Sequence, residues 1–208
     1  MEQFEERAYL RFDAPLYGLA EAAGYLNVPL STLTNRSNGY RRQRADGSEI
    51  SVEPVVTLLP GQEHRQPSVP FVAVVEGLAV ASCDGAGCRS KRVRVALGAL
   101  DREMGVSHAL ASCRLYTDGA EFLYDFAGGS DDAAVTSAAR SLVVVRNGQR
   151  VFVNVVPDYL RLIDYASDGV AAVVDLSRYA HVEVVVDPTR SFGKPIFQRG
   201  EPASAMLT

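Results

Sequence analysis

Tryptophan is absent from this 208-residue chain, and cysteine, histidine and methionine are scarce at three residues each. Three cysteines (Cys83, Cys88, Cys113) are an odd number in a chain long enough not to need covalent staples. A reducing, cytoplasmic setting is the simpler reading. The histidines (His64, His108, His181) are scattered, with no pair at helical spacing and no link to a nucleophile. A glycine-rich phosphate loop ending in Lys-Ser/Thr is missing, and so is a nucleophile elbow. No run approaches the ~20 apolar residues that span a bilayer; residues 70–81 come nearest but are too few and include Glu76. The opening MEQFEERAYLRF lacks the basic n-region and apolar stretch of a secretory signal. Positive charge is not in excess: 21 Lys and Arg face 25 Asp and Glu, for a net charge of −4. This argues against a protein that coats nucleic acid non-specifically, although a local basic patch can sit on an acidic body. Charged residues are 22 % of the chain, too few for a disordered polyelectrolyte.

What is present suits one large or two small globular domains, with 47 % apolar residues to build a core. Residues 1–12 read as a polar arm, extended or forming a short strand, and Asp13-Ala14-Pro15 ends it. In LYGLAEAAGYL (16–26), Leu16, Leu19, Ala20, Ala23 and Leu26 recur at near-helical spacing, which predicts a short amphipathic helix. Asn27-Val28-Pro29 stops it. A second short helix follows over about 30–35, with Pro29 where a first-turn proline is tolerated and Ser31 and Thr32 as caps; Asn38-Gly39 ends it. Two short helices joined by such a turn make a helix-turn-helix. The basic stretch YRRQR (40–44), the Asp46-Gly47 turn and the β-branched 50–59 then fit a wing. Residues 60–70 form a proline-punctuated linker.

A helix is expected from 68 or 69 to 81, with Phe71, Val74, Val75, Leu78 and Ala79 facing the core. DGAG (84–87) breaks it. A second helix over about 90–104, with Val93, Leu97, Leu100 and Met104 as its stripe and Gly105 past its end, would complete a helical hairpin. Leu115-Tyr116-Thr117, Asp118-Gly119 and residues 121–124 signal a β-hairpin. The small-residue, acidic 126–138 reads as a loop and domain boundary. Residues 142–153 around Asn147-Gly148 predict another hairpin, 157–163 a short helix, and 170–176 and 182–186 strands. The tail from Asp187 is rich in proline and glycine, and the chain reads as shortened at its end. The expected fold is α+β: a winged helix-turn-helix with a helical hairpin (1–126), a linker (127–140) and a small α/β C-terminal domain (141–208).

Three features could carry chemistry. Cys83, Cys88, His108 and Cys113 could form a Cys3His zinc set, but the Cys pair is spaced more widely than usual, and ordinary thiols are the simpler reading. Asp131 and Asp132 in GGSDD look like a solvated turn rather than a metal site. The basic cluster says more. Arg36, Arg41, Arg42 and Arg44 on the second helix and wing face only Asp46 and Glu49 within 31–50, which suits phosphate contact. A second run, Arg89, Lys91, Arg92 and Arg94, opens the next helix, where basic side chains oppose the dipole. In the tail, Arg190, Lys194 and Arg199 lie on an extended backbone from which arginines can enter a partner's acidic pocket.

A family resemblance covers most of the chain. LYGLAEAAGYLNVPLSTL resembles a MerR-like helix-turn-helix opening. VVVDPTRSFGKPIF (184–197) resembles the Asp-Pro, then Phe-Gly-x-Pro, signature of an antitoxin family, and LASCRLYTDGAEFLYD resembles the middle segment of such proteins. Together they are similar to the VapB-like antitoxins of type II systems, encoded beside PIN-domain ribonuclease toxins. The resemblance implies a protein that binds and silences such a toxin, binds operator DNA through its N-terminal domain, represses its own operon and dimerises. Two departures stand out. Where the family has a Gly-Thr-Arg-x-Pro turn, this chain has Arg199-Gly200-Glu201-Pro202. The family also tends to a helix after Gly148-Gln149, where the local pattern here says strand.

On this reading Ser31, Thr32, Thr34, Asn35 and Arg36 face the major groove, and Arg41, Arg42 and Arg44 grip phosphates. Arg190, Phe192, Lys194 and Phe197 anchor the toxin. These are expected to be two separate docking surfaces, with no catalytic residue, metal or cofactor. The alternatives are a stand-alone MerR-like regulator sensing a ligand through Tyr116, Phe122 and Tyr124, and a small metal enzyme using the cysteines or GGSDD.

Overall fold

The computed structural model describes residues 2–43, 47, 49–60, 66–85, 108–114, 133, 143–146, 149–152, 159, 161–176 and 184–197. At its centre is helix α4 (Phe71–Gly85). Every residue from 71 to 80 is buried. A helix that is apolar on all sides must be surrounded, and this one organises everything else.

The chain opens with helix α1 (Glu2–Phe12), which packs on α4. This corrects the expectation of an extended arm. Its anchor is distant in sequence: the Arg11 guanidinium donates to the Asp168 carboxylate, at 3.1 Å from Nη1 to Oδ1, and the Arg11 side chain is 6 % exposed. After α1, Leu16 and Tyr17 run extended. Both their N–H groups donate to the Val69 carbonyl, and Ser68 and Val69 donate back to Tyr17. The start of the helix-turn-helix is thus tied to the start of α4.

Helices α2 (Leu19–Tyr25) and α3 (Leu30–Asn38) follow, then the antiparallel hairpin β1 (Tyr40–Gln43) and β2 (Glu49–Val52). The expected helix-turn-helix and wing are there, with α3 reaching Asn38 and β2 ending earlier than the apolar pattern suggested. Helix α4 begins after Pro70 and extends past the expected break at Asp84.

In the last third, β3 (Val143–Arg146) and β4 (Gln149–Phe152) pair antiparallel. Local chemistry was the better guide here, and the helix favoured by the family resemblance does not form over 149–152. Strands β5 (Ile163–Tyr165), β6 (Ala171–Asp175), β7 (Val184–Val186) and β8 (Ile196–Phe197) make a four-stranded antiparallel sheet in that order. Tyr159 is helical, but Ile163 starts a strand, so the expected helix does not run to 163. The edge strand β8 lies in the tail, where none was expected. Ala171 and Val174 of β6 are buried in the same hydrophobic cluster as Phe71, Val75 and Leu78 of α4. Residues from both sides of 127–140 therefore share one core, and the sheet combined with the N-terminal helices makes the fold α+β. The helix over 90–104, the hairpin over 115–124 and, apart from Ala133, the 127–140 boundary lie outside the described residues.

Candidate nucleic-acid interface and the strip docked beside it

The turn between α2 and α3 is set by backbone hydrogen bonds. The N–H of Val28 donates to the Ala23 carbonyl at 3.0 Å and that of Asn27 to Gly24 at 3.1 Å, with Asn27 at φ +51°. This is a Schellman stop with asparagine in the left-handed position normally held by glycine. Pro29 then precedes the first turn of α3, and its carbonyl accepts from Thr32 and Leu33. From below, Leu26 seats the pair against α4. A Cβ added at Gly77 would lie 2.5 Å from Leu26 Cδ1, so glycine is what allows this approach.

The faces of α3 sort the candidate DNA contacts. Ser31 and Asn35 are exposed, Thr32 and Thr34 half-buried, and Leu33 and Ser37 buried. The Thr34 hydroxyl donates to the Leu30 carbonyl at 2.9 Å. Arg36 was expected on the outer face, but it is 3 % exposed. It lies one turn from Leu33 on the inner stripe, which takes it out of the major-groove set. Arg41 on β1 is exposed. Arg42 belongs to β1. Arg44 lies outside the described residues, as do Arg89, Lys91, Arg92 and Arg94.

The terminal strip folds back onto the helix-turn-helix. Across Pro188, Asp187 Oδ1 accepts from the Thr189 N–H and hydroxyl at 2.8 and 2.6 Å. Ser191, Phe192 and Gly193 then take φ values of +49°, +54° and +73° in succession. Two non-glycine residues in this region carry a real conformational cost, so their surroundings must hold them there. The Tyr17 hydroxyl does so by donating to the Gly193 carbonyl at 2.8 Å. Lys194 donates to Glu21 of α2. The Glu21 carboxylate also accepts from the Tyr25 hydroxyl at 2.5 Å and the Gly18 N–H at 3.4 Å. Burial pushes the Glu21 pKa up, but the hydrogen bonds from Lys194 and Tyr25 outweigh it and leave the carboxyl below its ordinary value. Burial followed by the bond to Glu21 pushes the Tyr25 phenol up. Phe192 is 89 % exposed and Phe197 76 %, and Arg190 is exposed beside them.

The terminal strip is thus joined to the entrance of the helix-turn-helix and to α2, through Tyr17 and Glu21. Lys194 pairs with Glu21 within the chain, while Arg190, Phe192 and Phe197 are exposed. Sequence reasoning missed Tyr17, Glu21 and Gly193 as the joint. Gly193 had a signal, since the Phe-Gly-x-Pro signature contains it. Cys88, Tyr116, Phe122, Tyr124, Asp131 and Asp132 lie outside the described residues, Cys113 is half-buried, and His108 faces Glu76 at 2.9 Å. Among the described residues, no cluster of three or more His, Cys, Asp or Glu is placed to hold a metal, and no helix is long and apolar enough to cross a membrane.

Residues 15–97 match the family described as "Putative DNA-binding HTH domain", a span that includes α2, α3, the wing and α4. A Mycobacterium tuberculosis protein named "Putative antitoxin VapB45" is 40 % identical over 198 residues, covering 93 % of this chain and 81 % of the relative. The chain belongs to the VapB-like antitoxin family. The crystal structure of Rv2018 from Mycobacterium tuberculosis has a TM-score of 0.75 to it at 37 % identity, covering 90 % of this chain and 81 % of that one. In this VapB-like chain, the helix-turn-helix belongs to a DNA-binding domain. Both the domain and the family are regulatory in kind.

Proposed function

We propose that this VapB-like antitoxin neutralises a PIN-domain ribonuclease toxin through its terminal strip and represses its own operon through α3 and the wing. The observation that carries the reading is the exposed pair Phe192 and Phe197, with Arg190 beside them, on a strip whose backbone is braced by Tyr17 and Glu21. Aromatic and arginine side chains of this kind are the usual anchors of an interface. The Arg190 guanidinium can make paired hydrogen bonds to carboxylates, and a PIN-domain nuclease holds its metal with carboxylates. Lys194, held by Glu21, fixes the strip instead of entering the partner.

On the DNA side, Ser31 and Asn35 offer hydroxyl and amide groups to base edges, with Thr32 and Thr34 beside them. The wing arginines, Arg41 first, take phosphates in the manner of a MerR-like winged domain. The active form is a homodimer that pairs two half-sites, acts in the cytoplasm and carries no catalytic centre, metal or cofactor of its own. The strip-bearing region from 141 onward is the toxin-facing unit, and 1–126 the DNA-facing one.

Co-expression with the neighbouring reading frame and purification by a tag on one partner tests the toxin half. A stable complex, with loss of the partner's ribonuclease activity, is expected. A neighbour that does not co-purify removes the antitoxin mechanism. Mobility shift on the DNA upstream of the gene tests the other half, and no shift at low salt removes operator binding.

A further inference from the structure

Glu76 is the one charged residue in the buried stretch 71–80 of α4. Its side chain is only 5 % exposed. A carboxylate in such a place is costly unless it is hydrogen-bonded and paired. Three donors meet it. The Thr57 N–H reaches Oε2 at 2.6 Å and the Thr57 hydroxyl reaches Oε1 at 3.1 Å, while His108 Nδ1 lies 2.9 Å from Oε1. The His108 ring stacks on Phe12 of α1, with centroids 5.3 Å apart and planes 20° from parallel. Its backbone sits at φ +59°, in the left-handed region that few non-glycine residues use, histidine among them. Neither the DNA-facing residues nor the strip uses this cluster.

Its position gives it leverage. Thr57 lies on the segment 53–60 that leaves the wing. Just upstream, the N–H groups of Val55 and Val56 both donate to the Arg36 carbonyl in the last turn of α3, at 2.9 and 3.3 Å. The segment is thus fastened to α3 at one end and to Glu76 at the other.

We propose that Glu76 and His108 form a proton-sensitive latch on this segment, and that the latch sets how firmly α3 and the β1–β2 hairpin are seated. Nδ1 donates to Glu76 whether the ring is charged or neutral, provided the proton sits there. What pH changes is the charge of the ring. As imidazolium it pairs with the buried carboxylate. When neutral it leaves that carboxylate with hydrogen bonds alone. Among the described residues, the charged groups nearest on α1 and on the segment leaving the wing are Arg11, Asp13 and Glu53, and Arg36 is buried at the end of α3 where that segment is fastened. Arg11 lies 5.0 Å from the Phe12 ring centroid but is engaged by Asp168, and Asp13 and Glu53 are exposed. On the pairing of His108 with Glu76, the latch is tighter in mild acid than in mild base. This inference rests on α3 and the wing being the DNA-contacting elements.

The test compares the full chain with His108→Asn, which tolerates the left-handed backbone, and Glu76→Gln, which keeps an acceptor for Thr57. Two quantities are followed between about pH 6 and about pH 8 at constant ionic strength. One is amide hydrogen-exchange protection of Val55, Val56 and Thr57, corrected for intrinsic exchange. The other is affinity for the upstream DNA fragment. The wild type should lose about fivefold in protection toward the higher pH, with affinity moving the same way, and both variants should show flat profiles. A variant profile matching the wild type overturns the latch, as does a flat wild-type profile at Thr57. If Thr57 responds while affinity stays constant, the link to α3 is overturned. If Thr57 responds and no DNA is bound at any pH, the latch stands and the DNA reading falls.

Discussion

The Tyr17 hydroxyl donates to the carbonyl of Gly193 at 2.8 Å, joining the entrance of the helix-turn-helix to a glycine 176 residues away. A Cβ on Gly193 would meet the Tyr17 hydroxyl at 2.6 Å and Leu16 Cδ1 at 3.0 Å, and its φ is +73°. Gly193→Ala should therefore cost about 1–3 kcal/mol and unseat the strip, whereas Tyr17→Phe should cost about 1 kcal/mol with the backbone retained. Urea unfolding of both variants, with near-ultraviolet circular dichroism as a local probe, checks the ranking.

Gly77 and Leu26 offer a compensation test. Gly77→Ala brings a Cβ to 2.5 Å from Leu26 Cδ1 and should destabilise by about 1–3 kcal/mol through overpacking. Adding Leu26→Ala, which alone leaves a cavity, should cost less than the sum of the two single changes. A double-mutant cycle in denaturant reads the coupling, and strict additivity would contradict this packing.

Several of these relationships could be read in the sequence, and some could not. The stop at Asn27-Val28-Pro29, the end of α3 before Gly39 and the apolar α4 are local matters of turn chemistry and hydrophobic run, so the pattern located them. Helix α1 was hidden because it is held by Arg11 reaching Asp168 and by packing on α4, both far along the chain. Strand β8 was hidden for the same reason: two residues become a strand only because Val184 and Val185 are there to pair with them. Arg36 was assigned outward by its charge, although its one-turn spacing from Leu33 already put it on the inner stripe. The exposed face of α3 was thus partly legible, and the joint between strip and α2 was not, because nothing local links Glu21 to Lys194.

Asp168 gives stability a pH dependence. The hydrogen bond from Arg11 holds its carboxyl below its ordinary value against the opposing effect of burial. A depressed folded-state pKa contributes stability that is present above the unfolded value and lost as pH falls through the folded one. Unfolding midpoints should therefore fall in acid, below about pH 4, and Asp168→Asn should flatten that part of the profile. Asp168→Ala leaves the Arg11 guanidinium buried without its carboxylate and should cost about 2–4 kcal/mol at neutral pH.

Arg36 and Arg41 should behave oppositely on DNA. Arg41→Ala should weaken operator binding while leaving folding intact, and lower the slope of log affinity against log salt by about one. Arg36→Ala should destabilise the fold, with any loss of DNA affinity following from that, because its side chain is buried. Salt-series anisotropy beside thermal unfolding separates the two.

The central claim is that one chain carries a DNA face on α3 and the wing and, braced against α2, an aromatic strip that takes the toxin. The most direct measurement is a paired binding experiment on the double variant Phe192→Ser and Phe197→Ser, with the protein encoded by the neighbouring reading frame and with the DNA upstream of the gene. The account predicts at least about a 100-fold loss of affinity for the toxin, with operator affinity unchanged. Undiminished toxin binding by this variant would contradict it.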